Sequence, residues 1–327
     1  MKKAKWISVS AALIIFFTAC QKYSDVFVPD PGQQLDSAWV STITSNSQVS
    51  VLTNSIAGTF DNSQLNVSST VDTSITGANN SLVIEIPRES LFSTGVVFTG
   101  AVRAEYKLIL KRGDFIRYGV PTVSNRFPLE SGGALLLRLF TTSGSPVTVN
   151  PSKRIYIKYV DELAKQGMSL FYSSNSPAST SVFNWLPAND GSQVALWSNN
   201  TTPVQKGYAI ATTRTGWLNV DRLLEPALAT TDVNVVLPNL FSNANTSVYM
   251  VFKNIRSVVQ LSGNATTRTF SFPNIPVNAE VKFVTISKVG DSYYLGIKDD
   301  KIISNYSGFV KPELSSLEKI NLFLNTL

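Results

Sequence analysis

The chain has 327 residues, 43% of them apolar and only 15% charged, with a net charge of +6, no histidine and one cysteine. Without histidine there is no Ser-His-Asp or Cys-His catalysis, no histidine-ligated zinc and no histidine acid–base chemistry. The modest, unclustered charge gives no footprint for nucleic acid, and one thiol makes no disulfide within the chain.

Met1-Lys2-Lys3-Ala4-Lys5 is a basic start, residues 6–17 are an apolar core, and Phe17-Thr18-Ala19 leads to Cys20. This is the anatomy of an export signal. The apolar core is shorter than the roughly 20 residues a membrane span needs. With cysteine at the first mature position, the segment resembles a bacterial lipoprotein signal, with Phe17 where a leucine-like residue is usual. The resemblance implies loss of residues 1–19, a diacylglycerol on the Cys20 sulfur and attachment to a membrane through lipid. Each buried lipid CH₂ contributes about 0.8 kcal/mol, and two or more chains make anchoring stable. Gln21 stands where an aspartate would favour inner-membrane retention by analogy with enterobacteria. The expected location is therefore the outer membrane, on its periplasmic or cell-surface face.

Residues 20–36 hold Pro29, Pro31 and Gly32 without periodicity and read as a lipidated tether. Residues 37–228 form an N-terminal β-rich region, open to division into two subdomains. Its first part is rich in Ser, Thr and Asn, with weak strands expected at 49–52 and 65–67. Clearer strand signals follow at 82–86, 96–104, 107–110, 134–140 and 154–159, the last alternating with period two. A short helix is expected at 161–166, then strands at 168–172, 183–185, 194–197, 208–211 and 216–222. After Glu225-Pro226, residues 229–310 read as a β-sandwich-like module with six strand candidates between 233 and 298. In 311–327, Leu314, Leu317, Ile320, Phe323, Leu324 and Leu327 fall at helical spacing, and Ser315-x-x-Glu318 resembles a capping box. Such a helix either packs on a sheet or docks a partner or membrane. The expected fold is mainly β: two or more β-sandwich-like domains in tandem with a short C-terminal amphipathic helix.

The most site-like cluster is Trp217, Asn219, Asp221 and Arg222. Alternation along a strand puts the first three on one face. There, Asp221 and Arg222 suit a polar ligand and Trp217 a sugar ring. The favoured reading is that Trp217 is a core residue and an Asp221–Arg222 pair pins a domain junction. Trp185 and Trp197 carry the same two readings. No phosphate-cradling Gly-rich motif and no Gly-x-Ser-x-Gly occurs. Ser316-Leu317-Glu318-Lys319 matches Ser-x-x-Lys but lacks its companion motifs, and Asp299-Asp300 reads as a solvated turn. No catalytic residue, metal site or cofactor is expected.

Three patches together resemble uncharacterised lipoproteins of the Bacteroidota cell envelope. They are Ile84-Glu85-Ile86-Pro87 with Gly95 and Gly100-Ala101-Val102; Leu129-Glu130-Ser131-Gly132-Gly133 leading to 144–149; and Gly216-Trp217-Leu218-Asn219-Val220-Asp221-Arg222. Similar proteins often carry Ile and Cys where this chain has Leu218 and Val220. The first two patches also resemble the β-rich domain of ankyrins and netrin receptors. Some of those proteins cleave themselves at His-Phe-Ser, and this chain, lacking histidine, cannot carry that site over. The resemblance implies location and β architecture without a reaction. The expected function is a non-catalytic envelope lipoprotein that binds or scaffolds a glycan or envelope protein. The alternatives are a surface glycan-binding lipoprotein using exposed tryptophans and a carboxylate-dependent glycoside hydrolase.

Overall fold

In the computed structural model, residues 39–174, 183–199, 203–224 and 229–327 are described. The signal, Cys20, the tether and the expected boundary at 228/229 fall on or beside residues outside this set. The described chain is mainly β, arranged in three sheets with a short C-terminal helix.

Two of the sheets form a sandwich. The five-stranded one is wholly antiparallel, in the order Gln193–Ser198, Lys206–Thr212, Ile155–Val160, Leu82–Ile86, Thr73–Gly77. Strict alternation in Ile155–Val160 sends Ile155, Ile157 and Tyr159 inward and leaves Tyr156 and Lys158 exposed. The ten-stranded sheet is built around Phe127–Thr141, fifteen residues long, flanked by Gly100–Ile109 and Gly216–Leu223. Leu135, Leu137, Leu218 and Val220 meet Ile84, Ile157 and Ile210 across the sandwich core. The expected strands at 96–104 and 107–110 are in fact a short Val96–Val97 piece and one continuous strand, Gly100–Ile109.

From Thr230 the chain builds an eight-stranded sheet. Most of its core comes from its own strands, including Val233, Val248, Met250, Phe270, Phe272 and Phe283, with Val123 entering from the ten-stranded sheet. The sheet curls strongly. Tyr306–Phe309 is one edge strand, and four strands separate it from Glu280–Val289. Yet the Tyr306 ring stacks on Phe283 with centroids 5.4 Å apart, and its hydroxyl donates to Asp300 at 2.7 Å. The strand Thr246–Phe252 is buried at every position, because its outward face is covered as well. This explains the continuous apolar run at 248–252.

A third core covers that outward face. Tyr249, Val251, Val284 and Ile286 from the curled sheet meet Phe171 and Trp185 from the ten-stranded sheet. Three helices fill the space between: α1 (Gln48–Ile56), α2 (Arg112–Arg117) and α3 (Leu317–Asn325). Residues 37–327 accordingly make one compact unit.

Five local expectations are corrected. Residues 49–52 belong to α1: Val49, Leu52 and Ile56 make a helical stripe, and the Ser47 hydroxyl caps the Ser50 N–H. Residues 161–166 form a turn, because the Asp161 carboxylate accepts from the Leu163 N–H and holds the chain non-helical. Asp299 and Asp300 lie in the strand Ser292–Lys301. On opposite faces of it, Asp299 pairs with Lys253 and Lys282 and Asp300 with Lys298. Helix α3 is capped by Ser316 rather than Ser315, its hydroxyl accepting from the Lys319 N–H at 3.2 Å, which gives the Ser-x-x-Lys pair a capping role. Leu314 falls on a preceding strand and is exposed. Ile320 and Leu324 of α3 are fully buried in the third core, so this helix packs inward.

Candidate functional site

The sequence patches Leu129–Gly133 and Trp217–Arg222 are distant in the chain but neighbours in the sheet. Arg222 pairs with Glu130, Asp221 with Ser131, and Val220 with Gly133. Gly132 is the extra residue of a β-bulge. Glycine is required at both bulge positions. A Cβ on Gly132 would lie 2.7 Å from the Tyr208 ring, and Gly133 has φ +126°.

The bulge turns Ser131 toward Asn219. The Ser131 hydroxyl donates to Asn219 Oδ1 at 2.9 Å and accepts from the Gly133 N–H at 3.0 Å. The Asn219 amide donates to Asp221 Oδ2. Asn219 and Asp221 are both 0% exposed, and Asp221 Oδ1 has no hydrogen-bond partner. Burial pushes the Asp221 carboxyl well above the ordinary carboxylate range. The nearby Glu130 charge adds to this, and Ser131 and Arg256 offset only part of it.

The expected Asp221–Arg222 pair does not form. Successive strand residues point to opposite faces, so Arg222 turns to its cross-strand neighbour Glu130, with Nε 2.8 Å from Oε2. Lys165 takes the other Glu130 oxygen. Burial alone would raise the Glu130 carboxyl, but the hydrogen bonds and charges of Lys165 and Arg222 outweigh it and hold it below its usual value. The ion pair that crosses to the curled sheet is a different one. Arg256 grips Asp161 bidentately at 2.9 and 3.0 Å, both side chains nearly buried. Backbone bonds reinforce it, from Ser131 N to Arg256 O and from Thr122 N to Val258 O, each 2.8 Å.

The tryptophans are structural in their contacts. Trp185 is 0% exposed and donates to Pro121 O at 2.8 Å. Trp197 is half-buried; its indole N–H reaches Tyr159 O and Tyr208 O, and Lys158 Nζ sits 4.0 Å over its ring. Trp217 is half-buried against Tyr118 and the third core.

Beside the cluster lies a cavity of about 320 Å³. Lys111, Arg112, Lys165, Lys253 and Arg256 line it, with Glu130 and Ser131 at its wall. A second cavity, about 490 Å³, opens on the other side of Glu130 and is bordered by Arg222, Leu223 and Glu280. Asp221 lines neither. Among the described residues no group of acidic, histidine or cysteine side chains is placed to hold a metal ion. Sequence reasoning missed Arg256, Asp161 and Lys165; they sit in no motif, and nothing along the chain links them to Glu130. Compared with known proteins, the chain matches no family model and no curated protein.

Proposed function

We propose that this chain is a lipid-anchored, non-catalytic protein of the bacterial outer membrane that binds or scaffolds a partner outside the inner membrane. The anchor rests on Cys20, the one cysteine, directly behind an export signal. The resemblance of the Trp217–Arg222 and Leu129–Gly133 patches to Bacteroidota envelope lipoproteins supports the same location.

The observation that carries the non-catalytic reading is the state of the two neighbouring carboxyls. Asp221 is fully buried and reaches neither cavity beside it. Glu130 has each oxygen held by a cation. A retaining or inverting glycosidase needs both carboxyl groups facing the substrate. The cluster instead has the form of a bolt that fixes the sandwich at its junction with the curled sheet. The reading of exposed tryptophans as a glycan platform loses support from Trp185, Trp197 and Trp217, which all pack against protein.

Incubating the full chain with a panel of neutral and acidic polysaccharides tests this. The expected result is no release of reducing ends. Turnover that disappears in Glu130→Gln would overturn the proposal.

A further inference from the structure

We propose that the 320 Å³ cavity beside Glu130 is a binding site for a compact oxyanion, a carboxylate or phosphate group carried by a small polar molecule. The inference deepens the binding reading above and is independent of the lipid anchor.

The argument begins with charge balance. Five cationic side chains line the cavity. Three of them have acidic partners: Lys165 with Glu130, Arg256 with Asp161, and Lys253 with Asp299. Lys111 and Arg112 have no acidic partner among the described residues. Arg112, half-buried, and the exposed Lys111 beside it therefore face the cavity without an ion pair, and partly buried charges such as that of Arg112 are ordinarily matched; Leu327 also lines the cavity.

The second part is preorganisation. Arg112 Nη1 donates to Phe252 O at 2.6 Å and to Lys253 O at 2.8 Å. These two carbonyls fix the guanidinium plane before any ligand arrives. The remaining Arg112 N–H groups have no acceptor among the described residues and stay free for a planar or tetrahedral anion. Burial lowers the Arg112 pKa, and the like charge of Arg256 lowers it further. A bound anion would offset both effects by favouring the charged form of Arg112.

Size and wall chemistry set the ligand class. A volume of about 320 Å³ lies at the small end of ligand pockets, and Leu163, Met168 and Ile255 add an apolar wall. The fit is to a small molecule with one anionic head and a modest body, such as an acidic monosaccharide or a sugar phosphate.

The test is calorimetric titration of the full chain at low ionic strength with inorganic phosphate, D-glucuronate and neutral D-glucose. We expect saturable binding of one or both anions and none of glucose. Phosphate alone would assign a phosphoryl ligand, and glucuronate alone a carboxylate. Lys111→Ala should weaken the anion about tenfold, as expected for loss of one charge-assisted contact. Arg112→Gln should weaken it more. Lys111 is exposed, so its variant keeps the test valid if Arg112→Gln loosens the junction. Failure of both anions to saturate, or affinity unchanged in both variants, overturns the anion site. Glucose binding as well as glucuronate also overturns it while leaving the binding reading intact; turnover of a bound ligand would instead sink the non-catalytic reading.

Discussion

Asp221 shows how one residue can be costly and still fit. Its carboxyl is buried, with one oxygen served by Asn219 and the other unpaired. Its pKa is raised in the folded state above the ordinary aspartate value of 3.8. The folded chain thus holds a proton that the unfolded chain has released between those two values. Stability therefore falls as pH rises through that window, and the penalty is fully present only above the folded pKa. Asp221→Asn removes the ionisation and keeps an acceptor for Asn219. Urea unfolding should show this variant as stable as the parent or more so at neutral pH, with the pH slope flattened. Asp221→Ala leaves the Asn219 amide without its acceptor and should lose about 1–3 kcal/mol. Arg256→Met is expected to be worse, losing about 3–5 kcal/mol because Asp161 is left buried and unpaired. The double change Arg256→Met with Asp161→Leu should recover most of that loss; an equally unstable double variant would contradict the account of the pair.

At the scale of elements, α2 and α3 depend on close approach. A Cβ on Gly113 would lie 1.8 Å from Leu324 O, so Gly113→Ala must push the two helices apart. A loss of about 1–3 kcal/mol is expected by thermal unfolding, as for other overpacked contacts; an unchanged midpoint would show that the helices are not held this closely. Leu324→Ala should cost about 2–5 kcal/mol from the cavity it leaves. Most strands were legible, because 155–160 alternates and 248–252 is an unbroken apolar run. Helix α1 was not, since four residues such as 49–52 are too few to separate period two from period 3.6, and the Ser47 cap that decides it lies outside them. The cap of α3 was displaced by one residue because Ser315 and Ser316 are adjacent and only hydrogen bonding separates them. The candidate cluster was legible in part. Trp217, Asn219 and Asp221 do share a strand face, but Arg222 pairs with Glu130 through a strand register that composition does not reveal. Arg256 and Asp161 are 95 residues apart without a motif, so only the fold brings them together.

For the body of the molecule, the third core joins the sandwich, the curled sheet and the three described helices through shared buried side chains. Tryptophan fluorescence and far-ultraviolet circular dichroism should therefore report coincident unfolding transitions for the body. Well-separated transitions would mean that the sandwich and the curled sheet melt independently despite that core. The body is also proposed to work at a membrane, where the lipid on Cys20 rather than any apolar span supplies attachment; no described helix is long and apolar enough to cross a bilayer. The most direct test of this central claim is metabolic labelling with radioactive palmitate in a bacterial host that processes lipoproteins. The account predicts label in the wild-type chain, none in Cys20→Ser, and a mature protein that begins at Cys20. Label retained in Cys20→Ser, or a mature chain that keeps residues 1–19, would contradict it.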